Sequence, residues 1–269
     1  PLQGPTAEQL FEALDPQDMT YMPPEVRCWV ECVRELNRQQ EDFEVRGPDA
    51  EADPRREGVQ WLPSTTMMAM RMLRKQDPVS IFEDNPVAFA ALFNFVRNFG
   101  ESFKPHIELI FKDGLKSVAK RFIEKKTISK AHGPVVNQRG IVLIDPDYTR
   151  GSEAYNCQDA ILRLRKHWRA STVLLTYPLA PRYEHKTRKL IETVKEKDPS
   201  LDLLLAEMYV DTPDWTDASL EPEWRGCGVL ISSPPHTCAE RIRAALSVVC
   251  QELASLPGAS EMRVVVEQA

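Results

Sequence analysis

The chain has 269 residues, 42% of them hydrophobic, enough for one large core or two modest ones. Lys and Arg number 34 against 40 Asp and Glu, a net charge of −6, so the chain lacks the cationic surplus of a nucleic-acid coat and any RNA contact has to be local. No run of about 18 apolar residues occurs, which argues against a membrane-spanning helix. The six cysteines (Cys28, Cys32, Cys157, Cys227, Cys238, Cys250) form no CxxC pair and no finger spacing with the five histidines; that argues against a metal site and for reduced thiols in an intracellular compartment.

The chain opens on Pro1 rather than Met, which leaves room for an upstream start, and its first residues show neither a signal-peptide nor an Arg-rich presequence pattern. Pro24 to Gln40 reads as an amphipathic packing helix, with Val26, Trp29, Val30, Val33 and Leu36 on one side and Pro in the first turn. Glu41 to Gly58 is acidic, with two prolines, two glycines and almost no apolar period, and is expected to be an exposed loop or partly disordered. These features suggest an N-terminal helical segment over 1–62 and an α/β domain over 63–269.

From Ser64 the pattern alternates. A Met-rich helix to about Lys75 precedes a strand Val79 to Glu83, a helix Val87 to Asn98 and a strand Ile107 to Phe111. Further strands are expected at Gly140 to Asp145, Ser171 to Tyr177, Leu203 to Val210, Gly226 to Ser232 and Met262 to Val266, with helices at Ala154 to Trp168, Pro181 to Lys195 and Thr237 to Leu253. Such alternation means βαβ units and a parallel sheet. Met67, Met68, Met70 and Met72 fall at helical spacing and read as core filling rather than as soft metal ligands. Basic runs at Lys112, Lys116, Lys120 and Arg121, at Arg163, Arg165, Lys166 and Arg169, and at Arg182, Lys186, Arg188 and Lys189 read mainly as solvated helix faces.

An open parallel sheet binds its ligand at the carboxyl ends of its strands. Glu83 ends one strand, Asp113 sits just past the next, and Asp145 ends a third. A carboxylate at the first could hold a ribose diol and one at the second an adenine amine, although a turn or helix cap is the plainer role for each taken singly. The third opens Asp145-Pro146-Asp147-Tyr148, after the apolar run Ile141 to Ile144. There Pro146 stops ladder pairing, so Asp145, the Pro146 carbonyl and Tyr148 are expected to face one cleft. A carboxylate and a carbonyl can accept both hydrogens of an exocyclic amine while an aromatic ring stacks on its base; an ordinary buried strand closed by an Asx-Pro turn uses the same residues.

Taken together, Glu25 to Asn37, Trp61-Leu62-Pro63 leading into Met70 to Asp77, Phe82-Glu83-Asp84-Asn85-Pro86, Lys112-Asp113-Gly114, Arg139-Gly140 through Tyr148, Leu175-Thr176-Tyr177-Pro178 and Gly226 to Pro235 resemble, in order and spacing, the bacterial large-subunit ribosomal RNA adenine-N6 methyltransferases with an Asp-Pro-Pro-Tyr motif. The resemblance covers about Pro24 to Val266. It implies an α/β, Rossmann-like class I methyltransferase sheet with helices on both faces and an N-terminal helical insertion. It also implies Glu83 on the ribose of S-adenosylmethionine, Asp113 beside its adenine, and Asp145, Pro146 and Tyr148 as the target-amine loop of an in-line methyl transfer that requires no metal.

Two departures stand against catalysis. The family's second proline is Asp147 here, and the later Asn-Pro-Pro-aromatic segment reads Ser233-Pro234-Pro235-His236. More seriously, the family places a strand with a Gly-rich, donor-binding loop before the segment matching Gln9 to Asn37, and this chain has neither. No G-x-G-x-x-G occurs among its 11 glycines, and the close pair Gly226 and Gly228 sits inside an expected strand. That strand is central in the family's sheet, so the sheet is expected to be completed by upstream residues, by a strand of another chain, or by rearrangement around a local segment such as the last strand. The expectation is a methyltransferase-like protein without activity. It would serve as an assembly factor or structural component with ribosomal RNA and ribosomal or assembly-factor proteins, in the mitochondrion or otherwise the cytoplasm, away from membranes. An active S-adenosylmethionine-dependent adenine-N6 methyltransferase, or a protein-interaction module without RNA contact, are the alternatives.

Overall fold

The computed structural model describes residues 22–44, 64–74, 76–98, 107–130, 139–148, 151–211, 225–255 and 261–269. The chain divides into two compact units, one of Pro1–Met72, Ala206–Cys227 and His236–Glu267, the other of Leu73–Leu205, Gly228–Pro235 and Gln268–Ala269.

In the first unit, helix α1 (Pro24–Glu44) starts with Pro24, at a position that needs no intrahelical donor. Val26, Val30, Val33 and Leu36 recur on one face and are buried, as the apolar period requires. Met22, Val26 and Val30 cluster, and Trp29 together with Ala245 and Val249 of helix α7 (Cys238–Ala254) packs against them; Arg241 of α7 pairs with Glu25. Helix α2 (Thr65–Arg71) is capped by Ser64, whose hydroxyl accepts from the Met67 N–H at 3.2 Å. Its Met67 and Met70 are buried and its Arg71 pairs with Glu35.

Two expectations are corrected here. Residues Glu41 to Glu44 are helical, because the Gln- and Glu-rich run after Asn37 contains no breaker; the rest of the acidic segment, 45–58, lies outside the described residues, as does Trp61-Leu62-Pro63. The Met-rich helix stops at Arg71, not near Lys75, and Met72 is 67% exposed rather than core. Its physical cause is Asp77, whose carboxylate takes the Arg74 N–H at 3.0 Å and so draws that donor into a turn.

The second unit carries the βαβ succession: β1 (Val79–Glu83), α3 (Pro86–Asn98), β2 (Ile107–Phe111), α4 (Gly114–Lys130), β3 (Gly140–Ile144), α5 (Glu153–His167), β4 (Ser171–Leu179) and α6 (Pro181–Lys197). β1 and β2 pair in parallel with Val79 opposite Ile107, and β3 and β4 with Gly140 opposite Ser171. The remaining strands are β5 (Leu203–Asp211), β6 (Gly226–Ser232) and β7 (Glu261–Gln268). The α/β class is as expected, but the sheet is not all parallel. Thr172 near the start of β4 donates at 3.0 Å to the carbonyl of Ser233, just past the end of β6, while Tyr177 near the end of β4 packs on Gly228 near the start of β6. β6 therefore runs against β4.

Strand order decides how the site is built. The described strands form a two-stranded sheet, β1-β2, and a five-stranded sheet, β3-β4-β6-β5-β7. β7 lies beyond β5, so the last strand does not complete the sheet between β1 and β3, and rearrangement around it is ruled out. One face of β3 is also uncovered: Val142 and Ile144 are buried, whereas Ile141 is 70% and Leu143 41% exposed, unlike the two-sided burial of an interior parallel strand. α4 bridges the two sheets, packing on β1 and on α5, and its Phe122 stacks on Trp168, at the end of α5, with centroids 4.2 Å apart and planes at 7°.

Replacing Trp168 with Ala removes that stack, at a cost of roughly 3 kcal/mol. The expected signature in hydrogen exchange is faster opening of β1 and β2 with β4 and β6 little changed; uniform acceleration would show that the ring does not hold the smaller sheet.

Candidate functional site

Glu83, Asp113 and Asp145 stand at the carboxyl ends of β1, β2 and β3, where the sequence places them. Local chemistry already occupies the first two. Glu83 accepts the Asn85 N–H at 2.7 Å, and Asn85 in turn caps α3 by accepting from Val87 at 2.9 Å and Ala88 at 3.2 Å. Asp113 caps α4, accepting the Lys116 N–H at 3.3 Å and pairing with its ammonium at 2.9 Å. Burial alone would raise the Asp113 carboxyl, but the Lys116 hydrogen bonds and charge outweigh it and hold the group below its ordinary value.

Asp145 and Tyr148 converge on Thr176 of β4. The Thr176 hydroxyl donates to the Asp145 carboxylate, and the Tyr148 hydroxyl donates to the Thr176 carbonyl at 2.8 Å. Tyr148 takes a left-handed backbone conformation, φ 54°, which swings its ring inward. The ring is 6% exposed and meets Tyr183 of α6 edge-on, centroids 5.8 Å apart. Asp145 and Asp147, by contrast, are exposed. The hollow around Tyr148, lined also by Gly151, Glu153, Ala154, Tyr183 and Lys186, does not admit a water molecule. Lys186 closes it by donating to the Gly151 carbonyl at 3.2 Å. Asp145 can thus meet an amine at the surface, while the Tyr148 ring presents no stacking face.

Thr176, Tyr183 and Lys186 were not recognised as parts of this loop's setting from sequence. Thr176 lies inside the segment Leu175 to Pro178 singled out above, and a Thr in an apolar strand end was the available signal. The segment Ser233 to His236 lies elsewhere. Because β6 is antiparallel to β4, its end falls beside the start of β4, at the opposite edge from Asp145, where the Ser233 N–H donates to the Asp202 carbonyl at 2.8 Å.

The profile of the family described as "Ribosomal RNA large subunit methyltransferase D, RlmJ" matches residues 55–266. The chain belongs to the RlmJ family. No curated protein matches it. Among solved structures, protein LPL1258 from Legionella pneumophila str. Philadelphia 1, of the family DUF519, superposes with a TM-score of 0.65 at 17% identity, covering 97% of this chain and 79% of that one. That likeness shows a shared fold.

Membership of the RlmJ family implies S-adenosylmethionine as the methyl donor wherever the chain is active. The described residues fit it poorly. Glu83 and Asp113 stand at suitable strand ends but are engaged by Asn85 and Lys116. The close glycine pair serves packing: a Cβ on Gly226 would lie 2.0 Å from the Met208 carbonyl oxygen, and one on Gly228 2.4 Å from the Tyr177 ring. Among the described residues no glycine-rich turn offers its backbone to the donor's amino-acid part, and no group of three or more His, Cys, Asp or Glu could hold a metal ion.

Burial, reinforced by Cys157 and the Asp145 and Glu153 carboxylates, pushes the Tyr148 phenol far up. The Cys157 thiol is pushed up to about 12 by burial and by Glu153. Both stay protonated in the fold and ionise in the unfolded chain near their ordinary values, about 10 and 8.5. Their contribution is therefore complete below about pH 8 and declines as pH rises towards 12, by at most about 1.4 kcal/mol per pH unit for each proton. Urea melts between pH 8 and 11 should show that decline, with a shallower slope in a Tyr148→Phe/Cys157→Ala variant; an unchanged slope refutes the assignment. At pH 7 Tyr148→Phe alone should cost about 1 kcal/mol.

Proposed function

We propose that this chain is a member of the RlmJ family that engages ribosomal RNA without methylating it, as an assembly factor or structural component of a ribosomal RNA-protein complex. Tyr148 carries the proposal. Its ring is turned into the protein, hydrogen-bonded to Thr176 and packed on Tyr183, so the aromatic face that would stack a flipped base is not offered. The exposed Asp147, in place of a rigid proline, relaxes the same loop. The split between β1 and β3 and the local engagement of Glu83 and Asp113 support the reading from the donor side. A mitochondrial ribosome is the setting we propose, on kinship with a bacterial ribosomal RNA enzyme family.

One observation favours the rival reading of an active adenine-N6 methyltransferase: Glu83, Asp113 and Asp145 do share the carboxyl ends of successive strands. That reading requires a strand and a donor cradle contributed from outside the described residues.

Calorimetric titration of S-adenosylmethionine into the full-length protein, beside Asp145→Ala, decides between them. No binding heat up to millimolar donor is expected. Micromolar affinity, followed by methyl transfer to ribosomal RNA that Asp145→Ala abolishes, would overturn the proposal and restore the enzyme.

A further inference from the structure

The basic runs of α4, α5 and α6 are not alike. On α4 and α5 two cations of each run pair with carboxylates: Lys116 with Asp113 at 2.9 Å, Arg121 with Glu108, Arg163 with Asp159 at 2.8 Å and Arg165 with Asp198 at 2.9 Å. α6 differs. Tyr183, Thr187, Leu190, Ile191 and Val194 form its buried face. Arg182, Lys186, Lys189, Thr193 and Lys197 recur at the spacing of one helical row beside that face. The four cations of this row are exposed; Glu192 and Glu196, three and seven residues after Lys189, border its second half on the crest, and Glu184 lies on the opposite flank. At about 1.5 Å per residue the row runs roughly 22 Å.

The Lys186 bond to Gly151, just before α5, and the Arg165 pair with Asp198, just after α6, join the helices start to start and end to end. α5 and α6 therefore run side by side in one direction. The head of the cationic row then lies beside the first turn of α5, where Tyr155 is 70% exposed, an unusual exposure for so large a ring. This row also begins next to the Asp145 loop, through the contact of Tyr183 with Tyr148.

We propose that this flank of α6, with Tyr155 at its head, seats a single-stranded segment of RNA, phosphates along Arg182, Lys186, Lys189 and Lys197 and a base on the Tyr155 ring. A cationic track combined with an exposed aromatic is what sequence-tolerant single-strand binding requires; an acidic peptide would use the cations but not the ring. The assignment rests on the ribosomal RNA reading above and names the surface that delivers it.

Fluorescence anisotropy of a labelled oligoribonucleotide of about 12 nucleotides on the full chain, across a salt series, tests it. Lys186→Gln/Lys189→Gln/Lys197→Gln should weaken binding at least ten-fold and lower the slope of log affinity against log salt by about 2, at roughly 0.7 per phosphate contact. Lys112→Gln/Lys116→Gln/Lys120→Gln, equal in charge removed, should change little, and Tyr155→Ala should cost roughly ten-fold. Lys189→Glu/Lys197→Glu leaves the Lys186 bond to Gly151 intact and guards against misfolding of the triple variant. Equal losses in the two triples, or none in the α6 set, overturn the surface while leaving the ribosomal RNA reading standing. An acidic peptide that binds the same row as tightly as the oligonucleotide, with Tyr155→Ala silent, overturns it in favour of a protein partner. Absence of RNA binding by the unaltered chain brings down both.

Discussion

A strand buried inside a parallel sheet has to pair along both edges, and among the described residues β1 and β3 each pair along one. Much else follows from that constraint. A row of backbone donors and acceptors can stay unpaired by strand only where water reaches it, so the sheet parts there instead of closing. One face of β3 is open as well: Ile141 and Leu143 face outward, whereas Val173 and Leu175 of β4 and Leu203 and Leu205 of β5 are almost wholly buried. Continuity across the break passes through α4 and the stacked Phe122 and Trp168. Among the described residues these two parallel edges have no strand partner, and such an edge is a template for an extended segment.

At the loop after β3 the decisive residue is not one of the motif. Thr176 holds Asp145 through its hydroxyl and Tyr148 through its carbonyl. One residue thereby sets opposite fates for the two, the carboxylate at the surface and the phenol inside. Burial then makes the arrangement self-reinforcing, because a phenol kept from ionising and bonded to a carbonyl is costly to pull out without a replacement acceptor. For Tyr148 to stack on a base, both the Thr176 bond and the contact with Tyr183 have to be given up. That demand separates this loop from a preorganised one.

The sequence was most legible where one physical signal dominates. The strands Val79–Glu83 and Ile107–Phe111 were bounded correctly because apolar runs ended at turn formers, and α1 was visible from Val26, Val30, Val33 and Leu36. It was least legible where a side chain competes with the helix for a backbone donor. Asp77 ended α2 early in this way, and Met72, counted with the core by spacing, came out exposed. Strand direction was hidden for a different reason. Alternation of helix and strand implies parallel crossovers, and only contacts such as Thr172 with Ser233 reveal that β6 turns back. At the site, the strand-end acids could be placed from sequence, but their engagement with Asn85 and Lys116 and the inward turn of Tyr148 depend on backbone angles that composition does not report.

Net charge and local charge pull in opposite directions here, and distance decides between them. A molecule of net charge −6 repels a polyanion as a whole, yet at physiological ionic strength charges beyond about 8 Å are largely screened. An approaching strand therefore feels the surface it touches. On α6 that surface is a row of four exposed cations bordered on the crest by Glu192 and Glu196, whereas on α4 and α5 two cations of each run pair with carboxylates, as Lys116 does with Asp113 and Arg165 with Asp198. An acidic chain can thus be selective as well as adhesive: the bulk charge suppresses indiscriminate binding, and one helix flank supplies a positive track at contact range. Its placement beside the Asp145 loop means that contact with RNA does not depend on whether Tyr148 ever leaves its pocket.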